Sequence, residues 1–206
     1  MEFIYSALVV FLTAYLCGAV PFGYLIGRMN GIDIRKYGSH NIGATNVTRV
    51  LGGTMGKLCF AGDFLKGMLP VIIFGSSWCS GWGGVIATAG TVVGHMYSFW
   101  MGFRGGKGVA TSLGALVALS FWPVLIGALV WYAVYRRTLV VAMASISIAV
   151  VIPVSACLLR LLGWHFTAWP SVLLMAVLGG LVIWRHRENI VRMLQGRELG
   201  FKPKKR

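Results

Sequence analysis

Long apolar stretches separated by short basic segments constrain this chain more than any other feature of its sequence. The first stretch, residues 3–27, is long enough to cross a bilayer whose hydrocarbon core is about 30 Å thick. It lacks a basic start and a small-residue cleavage site, so we expect a retained helix rather than a signal peptide. Of the 206 residues, 57% are hydrophobic and 12% are charged, and the mean hydropathy is +0.77. These values exclude an ordinary soluble domain and predict an all-α integral membrane protein.

The charge is strongly unbalanced, with 19 Lys and Arg against five acidic residues and a net charge of +14. Such an excess is typical of proteins that bind nucleic acid, anionic lipid or an anionic substrate. The basic residues are split among short segments between apolar runs, which argues against nucleic acid as a partner. The basic tail, residues 202–206, is expected to contact anionic headgroups. The cysteines form no CxxC pair and predict buried thiols: Cys17, Cys59, Cys79 and Cys157.

The positions of Lys and Arg in the short loops predict how the helices are oriented. Residues 109–135 could form one tilted helix or two short helices that turn at Trp122 and Pro123. Two short helices leave Arg160 as the only basic residue in an outer loop, so we prefer them. The prediction is a bundle of seven transmembrane helices, amino terminus outside and carboxyl terminus cytoplasmic, forming one membrane-embedded domain over residues 1–206. The expected spans are residues 3–27, 54–78, 85–101, the two halves of 109–135, 139–159 and 168–184.

Polar residues inside these spans have spacings that suggest helix contacts. Asp63 and Lys66 are three residues apart, so they share a helix face and can form an ion pair that lowers the cost of their burial. Gly90 and Gly94 are four apart and would permit a close helix contact. His95 could contact a ligand or be an interhelical histidine with satisfied hydrogen bonds, and the sequence leaves both open.

The first of three polar segments is Gly38-Ser39-His40-Asn41-Ile42-Gly43-Ala44-Thr45-Asn46, followed by Arg49. We expect residues 28–53, which contain it, to be a polar surface loop. A glycine-rich run allows successive backbone N–H groups to converge on one point, and such concavities bind anions, above all phosphate.

The second segment, residues 102–108, reads GFRGGKG and runs directly into a predicted helix at Val109. The N–H groups of that helix start, together with Arg104 and Lys107, predict an anion site. The glycines that would let backbone approach a ligand are Gly105, Gly106 and Gly108. Met101 stands where a Walker A loop needs its first glycine, so ATP is not expected.

The third segment begins at His186, which is three residues before Asn189 and shares a helix face with it. Glu188 and Arg192 are spaced for an intrahelical pair, so we expect Glu188 to orient this helix. His186 is the better candidate for ligand contact.

The usual hydrolytic and metal-binding signatures are missing. The histidines at positions 40, 95, 165 and 186 do not begin an HxxxxD motif, and the carboxylates form no DxxD or HExxH pair. We therefore expect no metal and no cofactor, and a reaction that needs little acid or base from the protein.

Four motifs together resemble the bacterial acyl-phosphate:glycerol-3-phosphate acyltransferases of the PlsY type. They are GSHNIGATNVTR at 38–49, DFLKG at 63–67, GFRGGKGVAT at 102–111 and HRENIVRMLQGRE at 186–198. The resemblance implies a seven-helix bundle in the bacterial inner membrane with its active site on the cytoplasmic side. It implies transfer of a fatty acyl group from membrane-dissolved acyl phosphate to the 1-hydroxyl of glycerol 3-phosphate, the first acylation of phospholipid synthesis. The products would be lysophosphatidic acid and phosphate.

The resemblance also implies roles for individual residues. The first segment would bind acyl phosphate with help from Asn189, and Arg49, Lys107 and His186 would hold glycerol 3-phosphate. The catalytic residues would be Ser39, Asn41, Lys107, His186 and Asn189. The substrate-binding residues would be Gly38, Gly43, Ala44, Thr45, Asn46, Arg49, Arg104, Gly105, Gly106 and Gly108.

One position departs from the family pattern. Val140 stands where the family often has a serine near the acceptor, and Thr138 or Ser145 could substitute.

An alternative function is a phosphate or organic-anion transporter, in which the same loops would coordinate an anion during passage. The polar motifs all collect on one predicted face and the spans contain few ionisable residues, so we prefer the enzyme.

Overall fold

The computed structural model describes residues 1–75, 77–164 and 167–201. His165 and the basic residues 202–206 lie outside the described part. Within the described residues the structure is all-α, with no strand, which confirms the predicted class. The chain separates into two compact units, Met1–Leu119 and Ser120–Arg206.

The first unit contains six α-helices and three short 3₁₀ turns in its described part. The helices are α1 (Glu2–Ala19), α2 (Phe22–Met29), α3 (Ala44–Leu51), α4 (Gly53–Phe74), α5 (Gly83–Met96) and α6 (Val109–Leu119). The 3₁₀ turns are Ile34–Lys36, Cys79–Gly81 and Phe99–Met101.

Two sequence-based boundaries in this unit are wrong. The stretch predicted as one helix over residues 3–27 is broken between α1 and α2, because Pro21 has no N–H with which to continue the hydrogen bonds of α1. The segment predicted as a loop over residues 28–53 contains α3, so half of the first polar segment is helical.

Glycines bring the helices of this unit into backbone contact. A Cβ at Gly94 would overlap the carbonyl oxygen of Tyr15, and one at Gly90 would lie 2.7 Å from that of Phe11. The predicted close helix contact is therefore confirmed, between α5 and α1. On the other side, a Cβ at Gly67 in α4 would overlap the Thr111 carbonyl oxygen in α6.

The second unit contains α7 (Phe121–Thr138), α8 (Val141–Leu161), α9 (Trp169–Arg185) and α10 (Arg187–Leu194). Residues 109–135 do form two helices, as predicted, and the break lies at Ser120. Pro123 stands in the first turn of α7, where a missing N–H costs nothing. The axes of α9 and α10 are bent by 55° at His186.

Two helical stretches in the described residues, Glu2–Met29 and Val141–Leu161, have the length and hydropathy of a complete membrane crossing. The bent pair α9 and α10 would be a third if taken as one span. The remaining helices are shorter, such as α5 and α6, or carry charges, such as α4 with Lys57, Asp63 and Lys66. The number of crossings and the single-domain organisation therefore stay predictions.

The cysteines are free thiols. Cys59 and Cys79 are buried, and Cys17 and Cys157 are partly exposed.

Candidate active site

The first polar segment is folded around the side chain of Asn46, which is only 1% exposed. Its Oδ1 accepts a hydrogen bond from the Ser39 amide at 2.8 Å. Its Nδ2 donates to the carbonyl oxygens of Tyr37 at 3.0 Å and Asn41 at 2.9 Å. In this structure Asn46 therefore holds the segment together from inside, and a direct contact with substrate stays a prediction.

Two residues of this segment adopt left-handed backbone conformations. Gly38 has φ 62°, and a Cβ there would overlap Asn46 Oδ1, so glycine is required. His40 has φ 56°, and its Nδ1 lies 2.9 Å from the Arg35 carbonyl oxygen. The resulting tight turn brings Ser39 back against Asn46.

The start of α3 presents hydrogen-bond donors. Asn41 Oδ1 accepts from the Gly43 amide at 2.8 Å and closes the turn before the helix. The amides of Ala44 and Thr45, in the first helical turn, donate to no other part of the described chain. Arg49 lies farther along the same helix and is half-buried. These groups suit an anion at the helix start, as the sequence predicts.

The second polar segment is bonded to the end of α5. The Gly105 amide donates to the Met96 carbonyl oxygen at 3.1 Å, and the Gly106 amide donates to that of His95 at 3.2 Å. A Cβ at Gly105 would overlap the His95 carbonyl oxygen. The close approach that these glycines permit is thus to the protein's own chain, and their contact with substrate stays a prediction.

The start of α6 follows this segment. Gly108 has φ 86°, and its carbonyl oxygen accepts from the Ser112 amide at 2.7 Å. The amides of Val109 and Ala110 donate no hydrogen bond to the residues that the structure describes. The hydroxyl of Thr111 is buried there without a hydrogen-bond partner among the same residues. Donors therefore collect beside Lys107, which is half-buried.

One cleft of about 400 Å³ is shared by the first two segments. It is lined by Asp33, Arg35, Lys36, His40, Asn41, Ile42, Met101, Arg104 and Gly105. Among the predicted site residues, the cleft brings together Asn41, Arg104 and Gly105. Its charged lining is mainly basic, which suits an anionic ligand.

Among the described residues that line the cleft, Asp33 has the only carboxylate, and Arg35 hydrogen-bonds to it. Arg35 donates to the two carboxylate oxygens at 2.9 Å and 2.7 Å. These hydrogen bonds lower the pKa of Asp33 from 3.8 to about 2. Neither residue is among the site residues predicted from the sequence, although both lie close before the glycine-rich run.

A buried group of charges lies next to the second segment. Asp63 and Lys66 form an ion pair of 2.7 Å, as predicted, and each side chain is 3% exposed. His95, 4% exposed, places its Nδ1 3.5 Å from Asp63 Oδ1. His95 of α5 thus lies against Asp63 of α4, and the choice between its two possible roles stays a prediction.

The third polar segment belongs to the second unit, where His186 lies at the bend between α9 and α10. His186 is 3% exposed, and its Nδ1 lies 2.8 Å from the Val182 carbonyl oxygen. Asn189 is 5% exposed, on the first turn of α10. The sequence predicts His186 and Asn189 on one face of one helix. Because the helix bends at His186, they do not lie along a single straight helix.

Glu198 takes the role that the spacing assigned to Glu188. Arg192 Nε donates to Glu198 Oε2 at 2.8 Å, and Asn189 Nδ2 donates to Glu198 Oε1 at 2.6 Å. Glu188 is exposed and forms no ion pair with Arg192 in the described part of the chain, so the predicted intrahelical pair is wrong. A carboxylate that returns from beyond the end of α10 is better placed because it is 4% exposed and faces both partners.

The polar groups around Val140 are hydrogen-bonded within the second unit. Thr138 Oγ1 donates to the Val134 carbonyl oxygen at 2.8 Å and accepts from the Val140 amide at 3.2 Å. The Phe201 amide donates to the Leu139 carbonyl oxygen at 3.0 Å. Thr138 is therefore occupied in ending α7, while Ser145 is buried in α8.

Across the described residues, no group of three or more His, Cys, Asp or Glu side chains is arranged to hold a metal ion. The fold and the donors define a class: an apolar, all-helical protein whose basic, glycine-rich segments are suited to binding anions. The family model for glycerol-3-phosphate acyltransferase matches residues 8–196. The chain belongs to the glycerol-3-phosphate acyltransferase family, and the resemblance inferred from the four motifs is confirmed.

Similar proteins extend over nearly the whole chain. A glycerol-3-phosphate acyltransferase of Aquifex aeolicus is 43% identical over 199 residues, covering 95% of this chain and all of its own. One from Synechococcus sp. (strain JA-3-3Ab) is 43% identical over 196 residues, covering 94% of this chain and 92% of its own.

Solved structures share the fold as well. A crystal structure of PlsY (YgiH), an integral membrane glycerol 3-phosphate acyltransferase, in its glycerol 3-phosphate form has a TM-score of 0.87 and 41% identity, covering 96% of each chain. Its lysophosphatidic acid form has a TM-score of 0.84 and 40% identity over the same shares. The all-helical, integral membrane class of this protein is thus established.

Proposed function

We propose that this protein transfers a fatty acyl group from acyl phosphate to the 1-hydroxyl of glycerol 3-phosphate, giving lysophosphatidic acid and inorganic phosphate. Family membership makes it an acyltransferase that acts on glycerol 3-phosphate. The observation that carries the proposal is the basic cleft that both glycine-rich segments line, since both substrates present a phosphate. The similar PlsY structures in glycerol 3-phosphate and lysophosphatidic acid forms match the proposed acceptor and product.

The reaction needs little acid or base from the protein. The acceptor hydroxyl oxygen attacks the acyl carbonyl carbon, the bond from that carbon to the phosphate oxygen breaks, and phosphate leaves. The hydroxyl proton passes to the departing phosphate. Because acyl phosphate is an activated anhydride, positioning and charge neutralisation supply most of the catalysis. Asp33 is a poor base for this step, since Arg35 lowers its pKa to about 2.

The donor phosphate, in this proposal, binds at the start of α3. The donors are the amides of Ala44 and Thr45 and the side chain of Ser39, with Arg49 providing positive charge. Asn46 and Gly38 shape this site from inside, and Asn41 closes the turn before the helix. Oriented N–H donors then neutralise the charge that develops as phosphate departs.

The acceptor phosphate is assigned to Lys107 and His186, with Arg104 at the cleft adding charge. Asn189 assists the donor side, and its orientation is set by Glu198. Gly105, Gly106 and Gly108 allow the backbone turn that presents Lys107. Charge-assisted hydrogen bonds to phosphate are among the stronger ones in proteins.

The proposed topology is one membrane-embedded domain of seven crossing helices in the bacterial inner membrane, with the active site facing the cytoplasm. The support is the charge distribution, which gathers nearly all Lys and Arg on one predicted face. A carboxyl-terminal green fluorescent protein fusion should fluoresce, and a carboxyl-terminal alkaline phosphatase fusion should be inactive. The opposite pair of results would reverse the orientation.

The activity is tested with purified protein, acyl phosphate and glycerol 3-phosphate, by measuring phosphate release that depends on the acceptor. Lys107→Ala should lower the rate about ten- to hundredfold, because a hydrogen bond to a charged group contributes about 1.5–3 kcal/mol. Lys57→Ala, which removes an exposed lysine of α4, is the matched control and should retain the rate. Wild-type turnover in Lys107→Ala would refute its assignment.

The liposome version of this assay separates the enzyme from a transporter. If labelled phosphate crosses the membrane without acyl donor and no acyl transfer occurs, the protein is a transporter and the proposed function is wrong.

A further inference from the structure

The presence of a buried charge pair in α4 is not explained by a contribution to folding stability. Asp63 and Lys66 are each 3% exposed, and Lys66 Nζ also donates to the Val20 carbonyl oxygen at 2.6 Å. Replacing a buried ion pair by well-packed apolar residues is often neutral or stabilising, and ionisable groups within membrane proteins commonly mark function. The neighbours of this pair therefore indicate what it does.

His95 connects the pair to the second polar segment. Its Nδ1 lies 3.5 Å from Asp63 Oδ1, whereas its Nε2 lies against Gly106, where a Cβ would overlap it. The imidazole thus fills the space between the carboxylate and the turn. The backbone of the same residue accepts a hydrogen bond from the Gly106 amide at 3.2 Å.

We propose that Asp63, Lys66 and His95 form a buried positioning network that holds the turn of residues 104–108, and so orients Lys107 toward glycerol 3-phosphate. Lys66 holds the carboxylate of Asp63 through their ion pair, and that carboxylate lies beside the imidazole of His95. The imidazole supports the backbone directly before Lys107. The acceptor role of Lys107 rests on the proposed function; the support of the turn does not.

Steady-state kinetics of the purified full chain separate this role from a merely structural one. His95→Ala should raise the KM for glycerol 3-phosphate about tenfold or more and leave the KM for acyl phosphate within twofold. Asp63→Asn should shift the same KM by a smaller factor, because the imidazole keeps its place against Gly106. The matched control is Thr88→Val, which removes a buried hydroxyl of α5 that bonds only to Gly84 in the described residues, and it should leave both KM values unchanged.

A double substitution tests the contact itself. Gly106→Ala alone should raise the KM for glycerol 3-phosphate, since its Cβ meets the His95 ring. With His95→Ala the ring is gone and the new methyl group occupies its space, so the double variant should lose less than the two single effects combined. Gly105→Ala is the control, because its Cβ meets the His95 carbonyl oxygen, which His95→Ala does not remove. The KM increases caused by Gly105→Ala and His95→Ala should therefore multiply in the double variant.

Hydrogen–deuterium exchange gives a readout that does not require activity. In His95→Ala the Gly105 and Gly106 amides should exchange at least tenfold faster than in the wild type. Unchanged exchange, or equal increases in both KM values, would overturn the positioning role. Faster exchange without any acyl transfer by the wild-type protein would keep the network and overturn the proposed function instead. If His95→Ala does not purify as a folded protein, His95→Gln carries the same measurements and the same criteria, and Asp63→Asn should still raise the KM for glycerol 3-phosphate and not that for acyl phosphate.

Discussion

Substitution of Asn46 probes how the first polar segment is held. Asn46→Ala removes the acceptor of the Ser39 amide and the donor to the Tyr37 and Asn41 carbonyl oxygens, three bonds of 2.8–3.0 Å. It also removes a longer bond of 3.3 Å to the Ile34 carbonyl oxygen. At about 0.5–1.5 kcal/mol each, the three shorter bonds stabilise the folded segment by about 1.5–4.5 kcal/mol. Since 1.4 kcal/mol corresponds to a factor of ten, opening of the segment should become about ten- to thousandfold more frequent.

The Asn46→Asp variant sharpens this prediction. It keeps Oδ1 for the Ser39 amide but replaces the donating Nδ2 by an oxygen that faces three carbonyl oxygens. The resulting repulsion, in a side chain only 1% exposed, should make opening at least as frequent as in Asn46→Ala.

Hydrogen–deuterium exchange of the free protein in detergent measures this effect on the peptide that contains Ser39. Asn30→Ala is the matched control, because Asn30 is exposed and its amide bonds to the Ile26 carbonyl oxygen within its own helix. Unchanged exchange in Asn46→Ala, combined with lost activity, would refute the argument. It would mean that Asn46 acts by touching substrate rather than by holding the segment.

Three further results follow from the described contacts. Glu198→Gln should lower the unfolding temperature less than Glu198→Ala, because glutamine can still hydrogen-bond Arg192; the reverse order would contradict the assignment. The carboxyl carbon of Asp33, with its pKa lowered from 3.8 to about 2, should titrate near pH 2 by NMR. Its ion pair then stabilises the fold above about pH 4 and is lost as the pH falls through about 2, whereas a midpoint at 3.8 would disprove the pairing. Gly94→Ala should destabilise the protein by about 1–3 kcal/mol through overpacking, and Gly180→Ala, whose Cβ lies within 4 Å of nothing beyond its own helix backbone and chain neighbours, should not.

The helices were largely predictable because long apolar runs and loop charges are strong signals. The division of residues 109–135 into two helices could be predicted from charge, and the break lies at Ser120. The helix α3 could not, because Thr45, Val47 and Thr48 are poor helix formers in a polar context. It forms because Val47 is fully buried in a cluster with Ile34, Ile42 and Cys59, a tertiary contact that local propensity does not contain.

The sequence predicted which residue types form the site more reliably than it predicted which residues contact each other. Spacing alone favoured Glu188 as the partner of Arg192, but the chain beyond α10 folds back and brings Glu198 there instead. Gly105 and Gly106 predict that the backbone approaches another group closely. Only the structure shows that they approach the carbonyl oxygens at the end of α5. Such pairings depend on how distant segments meet, which a local pattern does not encode.

The Asp63–Lys66 pair also bears on how the protein is made. Because the two charges lie in one helix, Asp63 and Lys66 can neutralise each other before α5 has been synthesised. The carbonyl oxygen that Lys66 also contacts, that of Val20, belongs to chain already made. His95 arrives last and closes the group. Synthesis from the amino terminus thus assembles these three buried side chains in the order in which they leave the ribosome.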